Sequence, residues 1–426
     1  MTTIFRPLRL AAVLTCVLAP ALRAQTATIT RATQTSVINS VIDRMASSYI
    51  DADTGRLIGD HLRARLNASA YASLSNPAQF ADVVSNDLRA INGDLHLGLR
   101  YTPEGQGAPG GGGPSNPRLI NYGIGRVEIL DGNVGYLEIT GFAGAPGYEE
   151  VVGDAMRLLA RTDAVIIDVR RNGGGSGEMS HLVFSHFLPM IPVPTIRVQR
   201  RGAEPVLRTS VATVPGPRRT DVPLYVLTSQ GTASAAEEFS FVLKNRRRAT
   251  IVGSRTAGAG HMVNSVPVGS GFVLSFSITR VTDAESKKEW ERVGVLPDVD
   301  IPTEQALDAA YAAALRTITD KGTDDLRSRQ LARLIEVADA RRKPATVDLS
   351  RLAAYTGNYE GRVVSVVNGT LMYGRRDGAL REPLVPLGAN TFGLGALRLT
   401  FDDSKGAMQL IVRQANGTEI TLKRGP

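Results

Sequence analysis

The chain has almost no cysteine. Of its 426 residues only Cys16 is one, and it lies in a leader-like segment. With that segment removed, internal disulfides and cysteine metal centres are excluded. Aromatic residues make up 5% of the chain, and no basic stripe interleaves with them. The clusters Arg200-Arg201, Arg218-Arg219 and Arg246-Arg247-Arg248 are scattered, so they read as solvated surface and not as a nucleic-acid site. Long apolar runs are missing too. The stretch from Leu8 to Leu22 is broken by Arg9 and Pro20 and is too short to span a bilayer. The commonest serine-hydrolase signatures, G-x-S-x-G and S-x-x-K, do not occur.

What is present begins with a basic start, an apolar stretch and small residues, the plan of a secretory signal peptide over residues 1–24 with cleavage near Ala24. Its loss takes Arg6, Arg9 and Arg23 and lowers the formal charge from +8 to +5. The mature chain is then expected outside the cytoplasm, periplasmic or extracellular, without a membrane span.

Apolar residues at three- and four-residue spacing (Val37, Ile38, Val41, Ile42, Met45; Leu57, Ile58, Leu62, Leu66; Phe80, Val83, Val84, Leu88) predict a helical bundle over 30–100. The Gly/Pro-rich stretch 103–118 has nothing to bury and reads as a linker. From 119 to 302 the pattern alternates. A hairpin turns at Asp131-Gly132, Ala164–Val169 and 222–228 are buried strands, and helical stretches follow each, which predicts an α/β core. Residues 303–345 read as a helical connector. Short strands with turn signals over 346–426 predict a separate small all-β module.

One strand-to-helix turn carries chemistry. S-Q-G-T-A-S-A-A-E-E-F at 229–239 follows a buried strand and places Ser234 where a helix begins. A serine there is ordinarily an N-cap. Small residues around it, however, leave room for an incoming peptide, and the helix N-terminus favours a developing oxyanion. The five histidines offer no metal spacing: His181 and His186 are five apart and His61 stands alone, so no metal is expected. Asn172-Gly173-Gly174-Gly175 lacks the spacing and the Lys-Ser/Thr pair of a phosphate loop, so no nucleotide cofactor is expected.

Three motifs in order, D-V-R-R-N-G-G-G at 168–175, G-T-A-S-A-A-E-E-F at 231–239 and I-V-G-S-R-T-A-G-A-G-H at 251–261, resemble one serine-peptidase family. It includes the tail-specific (C-terminal-processing) proteases, the tricorn core and the interphotoreceptor retinoid-binding protein repeats. The resemblance covers about residues 36–302 and implies a crotonase-like ββα spiral for the core. Tail-specific members use a lysine as base; here Ala259 stands in its place. Lys244 is ten residues along the same helix, about 15 Å from Ser234 at about 1.5 Å per residue, and cannot replace it. With no PDZ-like segment either, the chain is closer to the tricorn and retinoid-binding-protein branch, where a histidine is the base and a glutamate orients it.

Asn92-Gly-Asp94-Leu-His96 resembles that branch's D-x-H motif, although Leu97 follows where Thr or Ser is usual. Glu291-Arg-Val-Gly-Val-Leu-Pro-Asp298 resembles its E-x-x-G-V-x-P-D. The resemblance thus implies Ser234 as nucleophile, His96 as base and Glu291 as orienter. Gly174, Gly175 and Ala235 are implied for the oxyanion hole, and His261 and Gly258 for substrate contact. His261 stays open as a competing base. The expected activity is peptide-bond hydrolysis on a peptide or unfolded protein, with no cofactor. A non-catalytic binder of hydrophobic ligands and an envelope interaction protein are the alternatives on the same fold.

Overall fold

The computed structural model describes residues 28–102, 116–378 and 381–425. The leader with Cys16 and Ala24, and most of the expected linker, lie outside them.

Three helices open the described chain: α1 (Arg31–Ser48), α2 (Ala52–Asn67) and α3 (Pro77–Arg89). Thr30, Asp51 and Asn76 cap their N-termini through side-chain oxygens. The helices do not form a free-standing bundle. After α3 the chain enters β1 (Gly98–Tyr101), which pairs antiparallel with β10 (Phe272–Asp283) of the following domain. Val37, Val41, Ile58, Phe80 and Leu88 share one core with Phe272, Leu274 and Phe276. The apolar stripe legible in the helices is therefore covered by a sheet whose strand lies nearly two hundred residues downstream.

The central sheet holds six strands in the order β11-β8-β7-β4-β3-β2. These are β2 (Ile124–Leu130), β3 (Val134–Ile139), β4 (Ala164–Asp168), β7 (Leu224–Thr228), β8 (Thr250–Gly253) and β11 (Val299–Asp300). The β2–β3 hairpin is antiparallel and every other pairing is parallel. Both faces of the sheet are covered, as a parallel sheet requires. Val165, Ile167 and Val226 face α4 (Tyr148–Leu158), α5 (Gly177–Ser185) and α6 (Ala235–Asn245). Their neighbours Ile166, Tyr225 and Leu227 face α7 (Ala306–Asp320) and α8 (Asp325–Arg342). This is the period-two alternation of a strand between two apolar layers. The helices expected as a connector are thus the second cover of the sheet.

A second sheet joins β1 and β10 to β5 (Pro194–Arg200), β6 (Val206–Thr209) and β9 (Met262–Gly269). Strands β5 and β6 were not legible beforehand, because each is short, β5 alternates only at Ile196 and Val198, and β6 is mostly exposed.

The C-terminal region is all-β after one short helix, α9 (Leu349–Tyr355). It comprises a four-stranded and a five-stranded antiparallel sheet around Tyr355, Tyr359, Phe392 and Phe401. It is less separate than expected. Arg398 forks onto Glu336 of α8 and donates to the Arg333 carbonyl, while Arg333 donates to the carbonyls of Ala396 and Arg413. Among the described residues no helix is long and apolar enough to cross a membrane.

Candidate active site

Ser234 sits between β7 and α6 with φ 54° and ψ −121°. A non-glycine residue in that region carries about 1–3 kcal/mol of strain and persists only where its surroundings fix it. Those surroundings are specific. Ala233 N–H donates to the Asn172 carbonyl at 3.1 Å, Thr232 Oγ1 to the Val169 carbonyl at 2.8 Å, and Ser229 Oγ to the Arg170 carbonyl at 2.6 Å. The serine turn is thereby laced to the 168–175 loop. That loop is itself held by the Arg170 fork on Asp168 and by Arg170 donating to the Thr303 carbonyl. The first turn of α6 closes on the Ser234 carbonyl, with Glu237 and Glu238 N–H at 2.8 and 3.0 Å.

Glu237, which the sequence reading passed over, is the knot of the site. It is fully buried and accepts four hydrogen bonds: from Ser234 N–H (2.9 Å), Ala259 N–H (2.7 Å), Gly258 N–H (2.7 Å) and Thr256 Oγ1 (2.5 Å). One carboxylate thus joins the Ser234 turn to the 256–260 loop. Its N3 position, three residues after a helix-start serine, was the available signal.

A cleft of about 290 Å³ opens beside the serine, and Gly175, Ser234, Ala235, Ala259, Gly260 and His261 are among its lining residues. Of the two glycines expected in the oxyanion hole, Gly174 packs directly under Ser234: a Cβ there would lie 2.7 Å from Ser234 Cβ. Its φ of 105° suits glycine alone. Its N–H, however, is already donated to Asn172 Oδ1 at 2.8 Å, which removes it as an oxyanion donor. Gly175 N–H and Ala235 N–H find no protein acceptor among the described residues. Gly258 is also corrected. It is buried beneath the loop, its N–H goes to Glu237, and it is not among the cleft's lining residues, which makes it a support of the loop and not a wall of the cleft.

Asp94, His96 and Glu291 do not line the cleft but cluster with His261, which does, and the four are drawn from three distant parts of the chain. Asp94 accepts from Tyr49 Oη (2.8 Å), Ser277 Oγ (2.6 Å) and His96 N–H (2.8 Å). Burial opposes its charge, yet hydrogen bonds from His96, Ser277 and Tyr49 hold its carboxyl well below the ordinary range. His96 Nδ1 stands 3.5 Å from Asp94 Oδ1. Glu291 Oε2 accepts from Gly260 N–H (2.7 Å) and His261 N–H (3.1 Å), and His261 Nδ1 lies 3.9 Å from it. Burial, then the Asp94 charge, push the Glu291 carboxyl up to about 7. Burial pushes the His261 imidazole down to about 4. Both ring nitrogens of His96, both of His261 and Glu291 Oε1 are buried without a hydrogen-bond partner. No hydrogen bond therefore joins Ser234 to either histidine. The structure gathers His96 and Glu291 into one electrostatic cluster, and His261 and Ser234 into one cleft.

The same cluster brings together possible metal ligands that the spacing did not suggest. Asp94, His261 and Glu291 offer atoms within 4.8 Å of one another. The remaining candidates are placed elsewhere. Lys244 pairs with Asp298 at 2.5 Å, at the far end of α6. His186 is buried near Arg218, and His61 lies 3.8 Å from Asp87. His181 Nε2 meets Glu238 Oε1, and Glu238 lines the cleft.

Residues 133–301 match the model of Peptidase family S41. Among curated proteins, a carboxyl-terminal-processing protease of Synechocystis is 29% identical over 198 residues, 44% of each chain. A carboxy-terminal processing protease of Bacillus subtilis is 26% identical over 179 residues, 39% of this chain and 36% of that one. The chain thus spans less than half the length of these relatives. Among solved structures, a putative peptidase from Parabacteroides merdae is similar at TM-score 0.48 and 20% identity, over 67% of this chain and 97% of that one. The tricorn protease is similar at 0.40 and 15%, over 68% and 37%. The match spans the strands and loops that build the Ser234 turn, the 256–260 loop and Glu291, so this central part of the chain is similar to peptidase family S41.

Proposed function

We propose that the protein is an exported serine peptidase of the tricorn-like branch, built on a crotonase-like core, that hydrolyses peptide bonds through an acyl-enzyme. The observation that carries the reading is Ser234. It is held in a strained backbone conformation at a helix N-terminus, beside two N–H groups without acceptors and inside a cleft. Ser234 Oγ attacks the substrate carbonyl carbon, and its proton passes to a histidine. The oxyanion accepts from Gly175 and Ala235 N–H. The histidine then protonates the departing amine, and water releases the acyl group by the reverse path.

His96 is assigned as the base and Glu291 as its orienter, with Asp94 on the Nδ1 side of the ring. Two facts favour His96 over His261. Its motif is the one the branch uses, and His261, held to about 4 by burial, is a poor proton acceptor near neutral pH. Labelling by a fluorophosphonate, which requires an activated serine, tests the reading. The wild-type chain should label at Ser234 and cleave an unfolded protein, and Ser234→Ala should do neither. A folded wild type that does not label would leave a ligand-binding role as the better account.

A further inference from the structure

The cleft beside Ser234 holds one buried acidic group that catalysis does not use. Glu238 lies four residues after the nucleophile, one helical turn along, and so projects from the same face of α6. It is 4% exposed, and His181 Nε2 from α5 meets its Oε1; among the described residues that is its one side-chain partner. Around it the cleft is walled by Met262, Val263, Val281 and the ring of Trp290. Two charged residues also line the cleft, Glu178 and Arg208, and they interact electrostatically and offset each other. His261, depressed to about 4, is neutral near pH 7. Glu238 is the buried acidic group among the cleft's lining residues, and it faces His181.

Apolar walls with a buried carboxylate among them suit a side chain with an alkyl stem and a cationic end. The stem buries apolar surface while the head replaces lost hydration with a charge-assisted hydrogen bond. A buried carboxylate whose partner is a histidine gains more from such a ligand than an exposed one would, because water screens it less. A leucine would offer the carboxylate no partner beyond His181, and an acidic side chain would meet it with like charge.

We propose that Glu238, positioned by His181, is a specificity determinant that makes the peptidase prefer lysine or arginine as the residue supplying the scissile carbonyl. This rests on the peptidase reading above.

The test compares kcat/KM on peptides that differ only at that residue, arginine against its neutral isostere citrulline, and lysine against leucine. The wild type should prefer the cationic member at least tenfold, and Glu238→Gln should lose most of that ratio. In the wild type, benzamidine should protect Ser234 from the fluorophosphonate at tenfold lower concentration than neutral benzamide; this arm holds even if the variant does not fold. An enzyme that labels and cleaves with no cationic preference, or whose preference survives Glu238→Gln, overturns the assignment. A wild type that neither labels nor cleaves removes the peptidase reading, and this proposal with it.

Discussion

Removing the Glu237 carboxylate should unfasten the site and destabilise the protein around it. Four donors converge on that group, from the Ser234 turn and from the 256–260 loop, and it is fully buried. A hydrogen bond to a charged group contributes about 1.5–3 kcal/mol, and a buried donor left unpaired costs about 1–3 kcal/mol. Water entering the space left by alanine recovers part of this. Taking the low end for each donor, Glu237→Ala should cost about 4 kcal/mol. That is a large fraction of the roughly 5–15 kcal/mol that holds a typical domain folded. Glu237→Gln keeps the volume but turns an NH₂ toward N–H donors, so it should cost about half as much. The chain's one tryptophan, Trp290, is buried at the cleft and reports on this region directly. Urea unfolding followed by its fluorescence gives the difference, and the rate of fluorophosphonate labelling without urea reports the serine. The rate should fall by orders of magnitude, because the strained Ser234 backbone loses a tie. A loss below about 1 kcal/mol for Glu237→Ala, with labelling intact, would refute the reasoning.

Three further outcomes are expected. His96→Ala should reduce turnover as severely as Ser234→Ala, whereas His261→Ala should chiefly raise KM; the reverse order in steady-state kinetics would make His261 the base. The folded state binds the Glu291 proton more tightly than the unfolded chain does, so its contribution to stability is complete below about pH 4.5 and is lost as pH rises to about 7. His261 works oppositely. Its depressed value gives stability that is present above about pH 6.5 and lost as pH falls toward 4. Urea unfolding across that range should therefore show Glu291→Gln gaining on the wild type toward neutral pH, and His261→Gln gaining toward acid. Finally, N-terminal sequencing of the exported chain should begin near Gln25, and an intact Met1 would remove the export assignment.

Much of this was legible because local pattern and local structure agree. The helix stripes, the β2–β3 hairpin at Asp131-Gly132 and the buried strands before Asn172 and Ser234 each follow from spacing over a dozen residues. What was not legible depends on partners remote in sequence. The spending of Gly174 N–H on Asn172 is a matter of loop geometry, and the burial of Gly258 under Glu237 depends on how two loops meet. Glu238 is the second of two adjacent glutamates at a helix start, and only the fold brings His181 of α5 to it. Motif order pointed to Ser234, Glu291 and His96 but carried no distances between them.

The junction between the N-terminal helices and the central domain has a further consequence. Asp94, fixed by Tyr49 from one side and by Ser277 from the other, sits on a seam with the properties of a subunit interface. It has an apolar core, a β1–β10 ladder and a buried polar bridge across it, and the sequence joining its two sides runs through the Gly/Pro-rich stretch. Residues 28–102 are in this sense an intramolecular partner, tethered at high effective concentration, and under the proposed assignment they would carry His96 to a serine they lack. The reaction proposed for this protein would then depend on docking as well as on folding, and weakening the seam would silence the serine without altering its turn.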